Sequence, residues 1–274
     1  MLPFEIMVMF LDYFRTDKTE LAKCTLIARN WIRPSRYHLF RKLTILQSPD
    51  VDGLAAFRLF LESARGYSAE YTRKFCLRGV PPEDETYWEP TIDLYELGFV
   101  VHHLPCLAVV DLDRVRFQGL PSDGPAPLVS EFVEHVNLAR ITTWVFDDVK
   151  DGTDILHLFP GLKTILTDDL GRQVKETGRE FALPPSSGHM PFSPKLRLET
   201  ITLKAFGPCS TFLDYAVQAL NLCNVTELTI LHLLPSEVAS LGRFLVAVKQ
   251  SLRYLHVSLS DCLIPEDDRG DHFI

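Results

Sequence analysis

Apolar residues recur at helical spacing at the start of the chain. Four of them lie three or four residues apart and predict one apolar helix face: Ile6, Met9, Phe10 and Tyr13. Pro3 and Glu5 suit the first turn of this helix. The backbone N–H that proline lacks would have no partner in the first turn, and an acidic side chain is favourable at the positive end of the helix dipole. A first helix is therefore expected close to the N-terminus.

Two further short helices are predicted before residue 45. Asp17 is a suitable N-cap for the second helix, and Glu20 three residues later would complete a capping box. We expect Pro34 to break the chain and Ser35 to cap the third helix. Three such helices enclose too small a core to be stable alone, so they must share apolar surface with another structure.

The rest of the chain carries an apolar repeat of the form LxxLxL. Alternation of apolar and polar residues is typical of a strand that buries one face. The repeat occurs eight times and predicts eight short strands, with middle residues Leu43, Phe75, Val110, Trp144, Ile165, Ile201, Leu228 and Leu255. These residues are 21 to 36 positions apart, which suits one strand and one helix per unit.

Helical patterns separate most of the predicted strands. They cover residues 53–64, 91–104, 128–136, 153–159, 211–223 and 236–250. The last of these begins with Ser236 as its N-cap. Alternation of strand and helix predicts a parallel sheet, and the polar, proline-rich residues 81–90 and 171–194 predict loops.

Composition limits the class of protein. With 274 residues, 46% hydrophobic residues and a mean hydropathy of +0.06, the chain can bury a sizeable core. The net charge of -8 argues against a general polyanion binder. Residues 1–45 nevertheless hold eight basic and four acidic residues, so this segment is positive and the remainder is negative.

Six scattered cysteines favour a reducing compartment, because none forms a CxxC pair or has a histidine at zinc-finger spacing. The apolar N-terminus lacks a basic start and is interrupted by Glu5 and Asp12, so a signal peptide is not expected. No apolar run reaches the ~18 residues of a membrane-spanning helix. We therefore expect an intracellular protein in the cytoplasm, the nucleus or both.

Three consecutive segments carry a resemblance to a known family. LPFEIMVMFLDYF, DKTELAKCTLIARNW and SRYHLFRKL follow one another within residues 2–43. In order and spacing this region resembles the F-box, especially its fungal form. The resemblance implies docking onto the small acidic adaptor that links F-box proteins to the cullin of a ubiquitin ligase.

The resemblance also implies which residues contact the adaptor. The first contact helix would use Leu2, Pro3 and Ile6, and a second apolar patch would use Leu21, Cys24, Leu26 and Trp31. The local positive charge suits an acidic partner. Two alternatives are that these residues pack against the rest of the chain, or that the basic residues bind nucleic acid. The second is disfavoured because three apolar helix faces leave few rings free to stack on bases.

The eight-strand pattern resembles a leucine-rich repeat, a usual companion of the F-box. The expected fold is α/β, with a three-helix F-box (1–43), an open, irregular leucine-rich-repeat-like solenoid with a parallel sheet (44–262) and an acidic tail (263–274). The alternative fold is an eight-stranded β/α barrel. Alternating polarity favours the open sheet, because a closed parallel barrel buries both faces of each strand.

Residues between the apolar positions of each strand should face solvent. They predict an acidic row flanked by basic residues, and the candidate substrate-binding residues are Arg78, Asp111, Asp113, Asp147, Asp168, Lys204, Tyr254 and His256. An aspartate after a strand can equally cap a turn. Recognition of a basic segment of a partner is the second interpretation, and a divalent-metal site completed by His102 or His103 is the third.

These patterns predict a non-catalytic subunit of a ubiquitin ligase that holds the adaptor with one end and a protein substrate with the other. No cofactor, metal, nucleic acid or membrane is expected. Motifs such as HExxH, GxSxG or a phosphate-binding glycine loop do not occur in the sequence. The alternatives are a metal-dependent hydrolase on a barrel and a repeat scaffold without adaptor docking.

Overall fold

A single parallel sheet of eight strands forms the centre of the molecule. The computed structural model describes residues 4–27, 29–63, 69–82, 90–118, 128–139, 155–168, 196–204 and 209–259. The strands in chain order are β1 (Lys42–Gln47), β2 (Lys74–Gly79), β3 (Thr91–Asp93), β4 (Val109–Asp113), β5 (Arg116–Gln118), β6 (His135–Ala139), β7 (Thr164–Asp168), β8 (Thr200–Lys204), β9 (Glu227–Leu233) and β10 (Tyr254–Leu259). Across the main sheet the order is β1-β2-β4-β6-β7-β8-β9-β10, and β3 pairs with β5 in a separate two-stranded sheet.

Adjacent strands pair in register, so each apolar position of the repeat forms a row across the sheet. One row has side chains no more than 1% exposed: Phe75, Val110, Val136, Ile165, Ile201 and Leu228. Full burial of such a side chain contributes about 1.5–3 kcal/mol relative to exposure. This repeated burial makes one face of the sheet the core of the molecule.

The helices described in the chain are α1 (Phe4–Tyr13), α2 (Lys18–Cys24), α3 (Arg29–Phe40), α4 (Gly53–Ser63), α5 (Leu94–His102), α6 (Cys209–Ala219) and α7 (Val238–Val248). Two pairs, α4 with α5 and α6 with α7, pack side by side. Their buried residues belong to the same apolar cluster as the sheet rows. The predicted arrangement, with crossovers covering one sheet face, is confirmed for these units.

Helices α1 to α3 form a second, smaller cluster. Asp17 is the N-cap of α2 as predicted, and its side chain accepts hydrogen bonds from the backbone N–H groups of Thr19 and Glu20, both at 3.0 Å. The reciprocal half of the predicted capping box is replaced, because the N–H of Asp17 donates to the carbonyl of Phe14 and the Glu20 carboxylate pairs with Lys23.

The predicted break at Pro34 is wrong. Helix α3 runs without interruption from Arg29 to Phe40 with Pro34 inside it, and Ser35 is a fully buried interior residue rather than a cap. Proline removes the bond that its N–H would donate to Asn30. Packing of α3 against α1 and α2 stabilises the helix despite that loss.

The junction between the small cluster and the sheet is short. Helix α3 ends at Phe40 and β1 begins at Lys42, so the predicted boundary between residues 43 and 44 falls inside β1. The carbonyl of Arg41 accepts hydrogen bonds from the N–H groups of Arg73 and Lys74 at 2.9 and 3.0 Å. The side chain of Lys18 also donates to the carbonyl of Lys42 at 3.3 Å. The bonds to Arg41 attach the junction to β2, and the bond from Lys18 attaches α2 to β1.

The helix predicted over 128–136 is wrong. Residues 128–134 are irregular with a turn at 131–132, and β6 begins at His135 and pairs with β4 and β7. Leu128 and Phe132, which fit a helical stripe, are 42% and 61% exposed. Backbone pairing in the centre of a sheet outweighs the local helical pattern. The strand predicted around Trp144 and the loop predicted at 171–194 lie outside the described residues, as does most of the 81–90 loop.

Two other helix predictions need correction. The segment predicted as a helix over 153–159 is a short 3-10 helix at Ile155–Leu158. Ser236 does not cap α7, because a 3-10 turn at Pro235–Glu237 comes first and Glu237 takes the N-cap position.

The barrel alternative is wrong. Strands β1 and β10 lie at opposite ends of the sheet and, within the part of the chain that the structure describes, each pairs with one neighbour only. The sheet is therefore open. One face carries the buried rows, and the other, here called the solvent face, carries the residues between them.

Candidate functional site

Helix α1 buries one side and exposes the other. Met7 and Leu11 are buried at 3% and 0% exposure in a cluster with Leu21 and Cys24. Phe14, Trp31 and Leu39 are partly buried against that cluster. The side of α1 that faces α2 and α3 is therefore already occupied.

The predicted apolar stripe lies on the opposite side of α1. Its four residues are Ile6, Met9, Phe10 and Tyr13, with exposures of 49%, 69%, 46% and 82%, and they are called the α1 outer face below. The ring of Phe10 contacts Trp31 edge-on, with centroids 5.6 Å apart. Large apolar side chains exposed together are typical of interaction surfaces.

The predicted adaptor-binding residues separate into three groups. Leu2 and Pro3 lie outside the described residues. Ile6 and Leu26 are exposed at 49% and 85%. Leu21 and Cys24 are buried and stabilise the cluster, whereas Trp31 packs against them and stays partly accessible.

Several exposed residues were missing from the predicted contact set. Met9, Phe10 and Tyr13 carry the same helical spacing as Ile6, and that spacing was the available signal. Ile27 follows Leu26 in the turn after α2 and is 61% exposed. Residue spacing shows which side chains share a face, but it does not show which face meets the core.

Basic residues lie on α3, which packs against α1. Arg29, Arg33 and Arg36 are exposed and occur at helical spacing, and the guanidinium of Arg41 lies 5.7 Å from the centre of the Tyr37 ring. The local charge attracts an acidic partner and falls in effect as salt rises.

One histidine links α3 to α1. The His38 side chain is 7% exposed, and its Nδ1 lies 3.7 Å from Oδ1 of Asp12. The pKa of His38 lies below its ordinary value of 6.5, because burial disfavours the imidazolium more than Asp12 favours it and Arg41 adds to the lowering. His38 is therefore neutral near pH 7.

On the solvent face, the aspartates of β4 are paired with β2. Arg78 Nε lies 3.0 Å from Oδ2 of Asp113, and Lys74 forms an ion pair with Asp111. The thiol of Cys76 also donates to Oδ2 of Asp111 at 3.6 Å. These acids are thus largely neutralised by the neighbouring strand.

The predicted acidic row needs correction for that reason. Asp147 lies outside the described residues, and Ala139 stands between Asp113 and Asp168 in the paired strands. Asp168 is opposite Lys204. In strand order the row reads Arg78, Asp113, Ala139, Asp168 and Lys204, so Ala139 separates the two described aspartates and each of them lies beside a basic residue.

In its middle row, the solvent face of the central strands presents uncharged residues. Between Asp111 and the edge strand β10, the middle row contains Asn137, Leu166, Thr202 and Thr229. Tyr254 and His256 lie beyond them on β10, and both are exposed. The described candidate substrate residues thus lie on β2 and β4, on β7 and β8, and on β10, and only the middle row between Asp111 and β10 is uncharged.

Nucleophilic and metal chemistry has little support in the described residues. Burial raises the pKa of the Cys24 and Cys76 thiols, and burial and Glu237 together raise that of Cys209 to about 12. Such thiols are protonated at neutral pH and react slowly. Nδ1 of His102 is bonded to the carbonyl of Val129 at 2.9 Å and Nδ1 of His103 to that of Phe99 at 2.8 Å. Across the described part of the chain, no group of three His, Cys, Asp or Glu side chains is placed to hold a metal ion.

No family model, curated protein or solved structure matches this chain. None of the helices in the described ranges is both long and apolar enough to cross a bilayer. Functional assignment therefore depends on the two surfaces described above.

Proposed function

We propose that this chain is the substrate-recognition subunit of a cullin-RING ubiquitin ligase. Its N-terminal helices, as an F-box, dock the small acidic adaptor, and the solvent face of the sheet binds a protein substrate. The chain itself performs no chemistry in this assembly. The α1 outer face is the observation that carries the proposal, because it is exposed although its helix already has a packed core side.

The size of the exposed surface supports a macromolecular partner. Six large apolar side chains of the N-terminal helices are 46–85% exposed: Ile6, Met9, Phe10, Tyr13, Leu26 and Ile27. Aromatic residues and methionine are enriched at the centres of protein interfaces. A partner that covers these side chains supplies the apolar surface that three short helices lack.

Charge supports an acidic partner. The exposed arginines of α3 lie in a segment that carries more basic than acidic residues. Exposed positive charge of this kind accelerates association with a negatively charged protein at low salt. The same charge favours nucleic acid in principle, but the Phe10 ring already makes edge contacts with the rings of Phe14 and Trp31, which leaves fewer ring faces for stacking on bases.

The sheet region is proposed to be an irregular leucine-rich-repeat-like solenoid. Equivalent residues of adjacent strands, from Phe75 to Leu228, support this because each unit adds one parallel strand in register. The units differ in length, from 26 residues between Val110 and Val136 to 36 between Ile165 and Ile201. A repeat built in this way offers a broad face to a substrate.

The substrate surface is proposed to be the solvent face of β6 to β9 together with Tyr254 and His256. A basic substrate segment is less favoured than the sequence alone suggested, because Lys74 and Arg78 already neutralise the acids of β4. The uncharged middle row of these strands suits a segment with few charges.

Adaptor binding is tested with the triple variant Met9→Ala, Phe10→Ala and Tyr13→Ala. We expect the affinity of the purified chain for the adaptor to fall at least about 100-fold, because buried aromatic anchors each carry a large share of binding energy. Isothermal titration calorimetry measures the affinity, and circular dichroism checks folding.

The matched control is Leu59→Ala with Val246→Ala. These side chains are 64% and 67% exposed but belong to α4 and α7. They should leave adaptor affinity unchanged. Unchanged binding by the triple variant would refute docking through the α1 outer face, and no binding by the folded wild-type chain would favour a scaffold without adaptor docking.

A further inference from the structure

A small cleft lies at the carboxyl end of β2. It has a volume of about 240 Å³ and is lined by Arg78, Gly79, Val80, Pro81 and Arg114. Two of its five lining residues are arginines, and they come from the ends of adjacent strands β2 and β4. Sequence patterns selected Arg78 as a solvent-face residue but gave no indication of Arg114.

Arg78 is only partly used by the fold. Its Nε pairs with Oδ2 of Asp113 at 3.0 Å, and its side chain remains 57% exposed. A guanidinium has five N–H donors, so the contact with Asp113 leaves its terminal amino groups able to bind a second acceptor. The Asp113 side chain is 10% exposed and offsets one of the two positive charges of the cleft.

Arg114 has an uncommon backbone conformation. Its φ is 54°, in the left-handed region that residues other than glycine seldom adopt. Gly79 packs against it, and a Cβ at position 79 would stand 2.0 Å from the Arg114 carbonyl oxygen. The close approach fixes the backbone of Arg114 against the end of β2.

The Arg114 side chain is half-buried. Among the described residues, none forms a hydrogen bond or an ion pair with its guanidinium. Strained residues that the surrounding structure holds in place occur most often at binding and catalytic sites. Nothing in the fold described above accounts for an arginine at this position.

We propose that Arg78 and Arg114 together bind a phosphate group in this cleft. Guanidinium groups match the oxygens of phosphate with paired, charge-assisted hydrogen bonds. The two arginines and Asp113 leave one net positive charge, which favours an anion over a neutral ligand. The open carboxyl edge of a parallel sheet is also where ligands commonly bind in α/β proteins.

Two ligands carry the phosphate group that this cleft would bind: a phosphate monoester and free inorganic phosphate. Arg78 and Asp113 belong to one row of the solvent face. A protein bound to that face can therefore place a phosphorylated side chain in the cleft. The inference goes beyond adaptor docking and does not depend on it.

The experiment titrates the full chain with inorganic phosphate and, separately, with O-phosphoserine. Potassium chloride keeps ionic strength constant, and two-dimensional NMR follows the amides around residues 78–81 and 114. We expect saturable binding of phosphate with one site. Binding of O-phosphoserine but not serine would identify a phosphorylated side chain as the natural source, whereas phosphate binding alone would identify the free ion.

The decisive variant is Arg114→Gly, because glycine removes the side chain and also adopts the left-handed backbone without strain. We expect it to fold at least as stably as the wild type and to bind phosphate about tenfold to a hundredfold more weakly, the loss typical of a charged hydrogen-bonding pair. Arg78→Gln should weaken binding to a similar extent.

The matched control is Arg253→Gln, an exposed arginine beside the far edge strand. It should bind phosphate as the wild type does. Two results would overturn the proposal: no saturable shift in the wild-type spectrum, or an equal loss of affinity in Arg253→Gln and Arg114→Gly.

Discussion

In the N-terminal helices, four residues are buried in a shared cluster, while six large apolar side chains are at least 46% exposed. In the sheet, one row alone buries six side chains across six adjacent strands. Both regions carry regular apolar patterns in sequence, helical in one and alternating in the other, but they bury them to different extents. The sheet completes its own core, whereas the helices present much of their apolar surface outward.

This difference indicates how the two regions contribute to function. A small cluster with an exposed apolar face is suited to binding a partner and gains stability from it. A large in-register sheet with its own buried cluster can hold other side chains in fixed positions on its solvent face. A single residue separates Phe40 at the end of α3 from Lys42 at the start of β1, so the two regions are joined by a short connection.

The largest expected effect comes from comparing the two cores. Phe75→Ala removes a fully buried ring from the sheet and should lower the free energy of unfolding by about 3–5 kcal/mol. Leu11→Ala, in the other cluster, should expose the amides of α1 to α3 to hydrogen exchange while those of β7 and β8 stay protected.

Tyr13→Ala is the control for this comparison, because the Tyr13 side chain is 82% exposed. Its effect on the free energy of unfolding should stay within about 0.5 kcal/mol. Loss of protection in β7 and β8 caused by Leu11→Ala would show that the two clusters unfold as one unit.

The second prediction compares two acidic residues at helix starts. Glu237 is 2% exposed and accepts hydrogen bonds from the N–H groups of Ser210 and Leu234 at 3.1 and 2.9 Å. Glu237→Ala should cost about 3 kcal/mol, since it leaves buried donors without a partner. Asp17→Ala removes an exposed cap and should cost about 1 kcal/mol. Urea denaturation measures both, and equal costs would contradict the role given to burial.

The third prediction concerns buried hydroxyl groups. Thr167 in β7 and Ser35 in α3 are fully buried, and their hydroxyl oxygens have no hydrogen-bond partner among the described residues. Thr167→Val keeps the shape and should raise the free energy of unfolding by about 1 kcal/mol. Ser35→Ala should stabilise the helices by a similar or smaller amount. A loss of stability in either variant would indicate that its hydroxyl group has a bound partner.

The smallest expected effect is a pH dependence confined to the N-terminal helices. The unfolded chain takes up a proton at His38 near pH 6.5, but burial lowers the pKa of this residue in the folded state. The contribution of neutral His38 to the free energy of unfolding is therefore complete above pH 6.5, and it is lost as the pH falls through the lower pKa of the folded state. Hydrogen exchange of α1 and α3 between pH 7 and pH 5 measures the change. His38→Gln should abolish the His38-dependent part, and an unchanged profile in that variant would contradict this origin.

Much of the architecture could be predicted from the sequence. Seven of the eight predicted strands lie where the LxxLxL pattern placed them, because a strand that buries one face must alternate apolar and polar residues. Helices α4, α5, α6 and α7 were also found from their periodicity. The failures at Pro34 and at residues 128–136 occurred where packing or sheet pairing outweighed a local preference.

The candidate surfaces were less predictable. Spacing grouped Ile6 with Tyr13 correctly, yet only packing showed that Met7 and Leu11 face the core. The acids of β4 were visible in the sequence, but their neutralisation by Lys74 and Arg78 depends on the register of β2 and β4. Arg114 gave no signal, because its left-handed backbone follows from its contact with Gly79.

The sequence by itself determined the periodicities: which residues share a helix face, which alternate along a strand, and where charge accumulates. Those properties follow from local geometry, which is the same in every helix or strand. Only the tertiary structure decided which face is buried, which acids are paired and which arginines meet at one cleft. Such features depend on contacts between residues far apart in the chain, and local patterns do not encode those distances.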